Sequence, residues 1–198
     1  MLPDDLSQGR TQQKLRTRNA LITAARQLIA EGKAPTVEDA AAAAAISRTT
    51  AYRYFKNQAE ILAAAHPETA KASLLPEDAP EDDVEARLEI VVKEFTRIVR
   101  ETEPQQRTML RLSLEGVVAK ERLVLRQGRA IPWIEEALAP LRARVSRAEL
   151  RRLVVAIRSA IGIEAFVWLT DVAGLSRDEA LKTMRWSARM MLRGALHG

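Results

Sequence analysis

From Ser47 to Lys56 the chain reads SRTTAYRYFK, crowding cationic, hydroxyl and aromatic groups into ten residues. Arg48 carries a fork of N–H groups that fits guanine O6 and N7, and Thr49 and Thr50 suit a base edge or a thymine methyl. Ser47 opens the same exposed turn. Tyr52, Tyr54 and Lys56 are donors fit for phosphate, contacts that orient a protein on a duplex without reading its sequence. Phe55 and Ala51 are expected to face inward. The partner that this set of groups suits is double-stranded DNA.

Other chemistries find little support. The chain has no Cys, so it has neither a disulfide framework nor a thiolate metal site. His66 and His197 are the only histidines, which leaves little for zinc or a histidine-based triad. Glu135 and Glu136 are adjacent, so on a helix they diverge and cannot work as an acid–base couple. The acids of EDAPEDDVEARLE read as solvated residues favoured by a helix N-terminus, not as a metal site. The arginines of RARVSRAELRR read as a solvated face. No catalytic residue, metal or cofactor is expected, and the chain is not expected to be an enzyme.

The 198 residues allow one domain or two, and they carry a net charge of +5. Charge is unevenly placed. Residues 1–57 hold nine basic and five acidic side chains, residues 58–104 five and twelve, and residues 105–198 seventeen and nine. Only the first basic segment is compact enough to suggest a polyanion site. The start MLPDDLSQGRTQQK lacks the apolar core of a signal peptide. No apolar run reaches membrane-spanning length, since AIGIEAFVWL is interrupted by Glu164. The expected place is the cytoplasm, with no membrane partner.

Ala, Leu and Arg dominate, and apolar residues recur at helical spacing from end to end. The fold class expected is all-α, with about nine helices. The first spans about Thr11 to Glu31 and stops at Gly32. Thr36 caps a second with Asp39 three residues on, Ser47 caps a third ending near Lys56, and Asn57 with Glu60 forms a capping box for a fourth. Later helices run to about Glu101, from Thr102 onward, and from Ile131 to Leu141, with Lys120–Arg129 ambiguous. Ser146 with Glu149 opens a helix expected to continue to Asp171. Gly174 breaks it, and Ser176 with Glu179 opens the last. Small residues from Ala40 to Ala45 let the second and third helices approach closely, and Ile46 anchors the turn between them. That is a helix-turn-helix pattern.

The segment RNALITAARQLIAEG…PTVEDAAAAAAISRTTAYRYFKNQAEIL resembles the DNA-binding domain of TetR-type transcriptional regulators over roughly residues 16–62. The matches include Ala24-Ala25, Gly32, Thr36-Val37, Ile46-Ser47 and, above all, the run from Tyr52 to Phe55 followed by Lys56-Asn57. The resemblance implies that Thr36 and Tyr52 meet phosphate and that Arg48 to Thr50 meet bases. Ala45 departs from it, standing where the turn usually has Gly. Gln58 stands where a Lys usually begins the fourth helix, which removes one phosphate contact.

The resemblance further implies a helix-turn-helix domain over residues 1–57 and a larger effector-binding and dimerisation domain over residues 58–198. The function implied is a homodimeric repressor, paired through its last two helices and released from its operator by a small molecule. The pocket residues expected are Phe95, Met109, Leu112, Trp133 and Phe166, with Arg111 or His66 as polar partners, which suits a mainly apolar effector. Alternatives are a helix-turn-helix regulator that needs no effector, distinguished by a filled second domain, and an all-helical enzyme.

Overall fold

Helix after helix begins at a side-chain oxygen that accepts the N–H three residues on. Thr36, Ser47, Asn57, Asp83 and Ser146 do this for the amides of Asp39, Thr50, Glu60, Ala86 and Glu149, satisfying donors that a helix leaves unpaired at its start. The computed structural model describes residues 3–66, 71–115 and 130–197. The Lys120–Arg129 span and the side chain of His197 lie outside the described residues. Within them the chain is all-α, without a strand.

The chain divides into two compact units: residues 1–66 with 108–127, and residues 67–107 with 128–198. In the first, α1 spans Pro3–Ala30, α2 Val37–Ala43, α3 Arg48–Tyr52 and α4 Gln58–Ala65. Leu21, Ala25 and Ile29 of α1 are buried with Val37, Ala40, Ala51, Phe55, Ile61 and Leu62. Ala40 and Ala41 are buried where α2 packs on α1 and α3. Gly32 terminates α1 at φ 81°. Its N–H bonds to Ile29 O at 2.9 Å, and that of Lys33 to Leu28 O at 3.0 Å. This double bond is the glycine-favouring helix end of the Schellman type. The start of α1 at Pro3, well before Thr11, was not legible because no apolar stripe marks the leading turns. The helix α6, Glu103–Glu115, contributes to both units, and from Thr108 onward it belongs to the first. The first unit thus takes in α4, and its boundary falls at His66.

The second unit holds α5 (Val84–Glu101), α7 (Ile131–Ala137) with a 3-10 turn over Ala139–Ala143, α8 (Arg147–Ile161), α9 (Ile163–Val167) and α10 (Arg177–His197). α10 packs along α5 and α8. Val91, Val92, Phe95, Ile134, Leu138, Ile157, Ile161, Phe166, Met184 and Leu192 are buried here. Arg87 ties α5 to the end of α7, donating to the carbonyls of Ala137 at 3.1 Å and Glu136 at 2.8 Å.

Two expectations need correction. The helix opened by Ser146 is not continuous to Asp171: Gly162 adopts an extended conformation, and a π-helical turn over Trp168–Val172 follows α9. The apolar period runs through the break, which concealed it. The stretch Arg147–Val172 is also long and apolar enough to cross a membrane by length and composition. It is broken at Gly162, and its Leu153, Val154, Ile157, Ile161, Ile163 and Phe166 are buried in this unit.

Candidate nucleic-acid interface

The turn between α2 and α3 sets the site. Ala45 N–H bonds to Ala42 O at 3.1 Å and Ile46 N–H to Ala41 O at 2.9 Å, with Ala45 at φ 52°. The turn keeps its shape with a Cβ where the left-handed conformation favours glycine. Ile46 packs against the core, as the motif requires.

Ser47 then starts α3. Its Oγ accepts from Thr50 N–H at 3.2 Å and donates to Thr50 Oγ1 at 2.8 Å, so the two hydroxyls serve the cap. Thr36 does the same for α2. It accepts from Asp39 N–H at 3.1 Å, while Asp39 Oδ2 accepts from both the N–H and the hydroxyl of Thr36. Those bonds, backbone first, hold the Asp39 carboxyl below the usual carboxylate range.

α3 is short. Arg53 and Tyr54 donate to carbonyls three residues back, at 3.2 and 2.9 Å, tightening the chain and turning Phe55 inward. The sequence places the end of this helix near Lys56; the structure ends it at Tyr52. Phe55 is buried, with the Arg18 guanidinium 5.4 Å above its ring. Tyr54 packs partly against the core, while Thr49 and Lys56 are exposed. Glu60 accepts from Lys56 N–H at 2.8 Å and not from Asn57 N–H, so only half of the expected capping box forms. Gln58 donates to Ala34 O at 2.8 Å, tying α4 to the α1–α2 loop.

Arg48 and Tyr52 lie one helical turn apart on α3, and both reach Glu38. Arg48 Nη2 donates to Glu38 Oε1 at 2.8 Å, and Tyr52 Oη donates to the same oxygen at 2.6 Å. The Arg48 side chain is 73% exposed and that of Glu38 33%. The Tyr52 hydrogen bond is the main reason that the Glu38 carboxyl lies low, and the same bond raises the Tyr52 phenol. Glu38 did not stand out in the sequence, where it is ten residues from Arg48 and reads as an ordinary acid near a helix start.

The expected pocket residues divide between the units. Phe95 and Trp133 of the second unit meet edge to face, centroids 6.0 Å apart, and Phe166 is fully buried there. Arg158 lies over Phe95 at 5.5 Å and faces Glu164 at 3.4 Å. Met109 and Leu112 belong instead to the core of the first unit. Arg111 donates to Gly32 O at 3.1 Å, and His66 is the buried C-cap of α4, both in the first unit. Two surface grooves are described in the second unit. One, of about 280 Å³, is lined by Glu85, Glu89, Arg185, Arg189 and neighbours; the other, of about 490 Å³, by Lys71, Ile90, Lys93, Arg97 and neighbours. Neither is lined by the expected pocket residues. Glu85 and Glu89 are paired with Arg193 and Arg189 at 3.0 Å.

Residues 21–65 match a family model described as bacterial regulatory proteins, tetR family. The matched segment runs from Leu21 of α1 through the whole of α4. No curated protein and no solved structure matches the chain.

Proposed function

We propose that this chain is a DNA-binding transcriptional regulator of the tetR type, as the match over residues 21–65 supports, and that it works in the cytoplasm as a homodimeric repressor that a small molecule releases from its operator. The observation that carries the DNA-reading part is the exposed face of α3. There Arg48, Thr49 and Tyr52 project from a helix fixed by its cap at Ser47 and by the buried Ala51. In our reading Arg48, Thr49 and Thr50 face bases in a major groove. Thr36, Tyr52 and Lys56 face phosphates, with Ser47 and Tyr54 beside them.

Pairing is supported by apolar surface that the second unit leaves uncovered. Trp168 and Trp186 are 57% and 58% exposed, and Val155 and Val172 are exposed with them. Exposed tryptophans on closing helices suit an isologous interface with a second copy. A dimer presents two copies of α3 to half-sites about 34–36 Å apart, so a ligand that alters their spacing alters affinity. The ligand must bind one spacing better than the other to have that effect.

A second reading is a regulator without an effector; the burial of Phe95, Trp133 and Phe166, the first two edge to face, is compatible with it. One experiment separates the two. Bound DNA is selected from a random pool, and a small-molecule panel is then titrated against the complex with tryptophan fluorescence and operator release followed together. A ligand that saturates the fluorescence and releases the operator supports the first reading; one that saturates without release removes the coupling. Catalytic turnover of any panel member would argue for an enzyme, a class not expected of this family.

A further inference from the structure

The surface assigned to DNA carries a carboxylate among its donors. Glu38 projects from the first turn of α2, and a single oxygen, Oε1, takes hydrogen bonds from both Arg48 and Tyr52. Those are the side chains that the reading above assigns to a base and to a phosphate. The Asp39 carboxylate beside it is committed to the α2 cap.

The two bonds have different consequences. The Tyr52 hydroxyl has one proton, and it cannot give that proton to Glu38 and to a phosphate together. A phosphate arriving at Tyr52 must displace a carboxylate and approach its negative charge. This penalty falls on every DNA sequence alike. Arg48 has five N–H groups and spends one on Glu38, so it can keep that bond and still present two donors to a guanine. The bond then fixes the plane of a long and otherwise exposed side chain before it meets the base. Ordering in advance favours the sequence that uses it.

We propose that Glu38 is a specificity-determining residue of the DNA-reading surface: it opposes the phosphate contact of Tyr52 on all DNA and orients Arg48 for the operator base. The proposal rests on the assignment of this surface to DNA. It makes an acidic residue improve discrimination while weakening overall affinity.

The test compares wild type with Glu38→Ala, measuring dissociation constants for the selected operator and for a scrambled duplex over a range of salt. The variant should bind the scrambled duplex more tightly, with a steeper salt slope because one anionic side chain has left the surface that meets phosphate. Its ratio of scrambled to operator dissociation constants should fall by about tenfold, within the range of one base contact. Tyr52→Phe in the same background should remove the part of the gain on scrambled DNA that the freed hydroxyl supplies and leave the loss of discrimination, separating the two roles. Glu38→Gln, which keeps the shape and an acceptor oxygen, replaces the alanine variant if that fails to fold and should change the ratio in the same direction. A ratio that stays level or rises overturns the proposal. So does weaker binding of the scrambled duplex by the variant. Wild type showing no preference for any sequence overturns the DNA-reading assignment and this proposal with it; a wild-type preference that survives Glu38→Ala unchanged overturns the proposal alone.

Discussion

Ala45 occupies, after α2, the left-handed position that Gly32 occupies after α1. Each is followed by the same pair of bonds: Gly32 to Ile29 and Lys33 to Leu28, Ala45 to Ala42 and Ile46 to Ala41. Their φ angles are 81° and 52°. One helix end uses a residue with no Cβ to strain; the other carries the strain.

Ala45→Gly should therefore stabilise the protein. A left-handed alanine costs roughly 1–2 kcal/mol, and the freer unfolded chain of a glycine returns about 0.4–1 kcal/mol of that. The expected net gain is about 0.5–1 kcal/mol. Equilibrium denaturation gives the answer. A destabilised variant would mean that the methyl of Ala45 makes a contact worth more than the strain. Gly32→Ala is the reciprocal experiment: nothing lies within 4 Å of an added Cβ there, so a loss of stability would report backbone strain alone.

These two turns show what was legible. Helix starts could be read because a cap is a local signal, an oxygen and an amide three residues apart, as at Thr36, Ser146 and Ser176. The all-α class and the helix-turn-helix followed from such signals and from the apolar spacing. The bond between Glu38 and Tyr52 spans fourteen residues and depends on the angle between two helices, which no local pattern encodes. Met109 and Leu112 were legible as buried, but periodicity does not say against what. They joined the core of Ile29 and Leu62. The break at Gly162 is hidden in the sequence because a glycine within an apolar helical period reads as a small residue that permits close helix contact until its ψ of 178° is known.

The DNA-reading assignment predicts that Arg48 and Tyr52 fail differently. Arg48→Ala should cost about 1–3 kcal/mol on the preferred operator and relax discrimination at one base position. Tyr52→Phe should weaken operator and scrambled DNA to a similar extent and, since a phenol carries no charge, leave the salt slope level. Fluorescence anisotropy on both duplexes separates the patterns. An unchanged consensus after selection with Arg48→Ala would place some other side chain at the base.

Acid should weaken the second unit through carboxylates held by arginines. The Arg107 hydrogen bond, with that of Thr170, lowers Asp171 from 3.8 to about 2. Arg97 first, then Lys71, lowers Glu94 from 4.5 to about 2. Burial opposes ionisation of Glu103, but the bonds from Arg177 and Arg107 outweigh it and leave the group lowered. Each folded-state value is below the unfolded one, so the folded state binds fewer protons. The stabilisation is present above the unfolded values and is lost as pH falls through about 4 towards 2. Asp171→Asn should therefore flatten the dependence of stability on pH over that interval, and salt near 1 M should shrink the wild-type slope by screening exposed pairs. A variant curve parallel to wild type between about pH 2 and 5 would show that Asp171 keeps the same environment when unfolded.

Assembly is tested at the exposed tryptophans and not at the buried apolar residues beside them. Ile161 is fully buried within the second unit, so a charge there would disturb folding before it reported on pairing. Trp168 and Trp186 stand more than half exposed at 57% and 58%, and Val172 lies one turn beyond Trp168. Burying such side chains contributes about 1.5–3 kcal/mol each, and an isologous interface uses every one of them twice. Trp168→Glu and Trp186→Glu should thus convert a dimer into a folded monomer with its helix content unchanged. Sedimentation velocity reads the mass and circular dichroism the fold. Operator affinity should fall in step with dimer loss, because a monomer engages one half-site at a time. A wild-type monomer at micromolar concentration would remove the homodimer from the mechanism, and a dimer that persists in both variants would move the interface to another face.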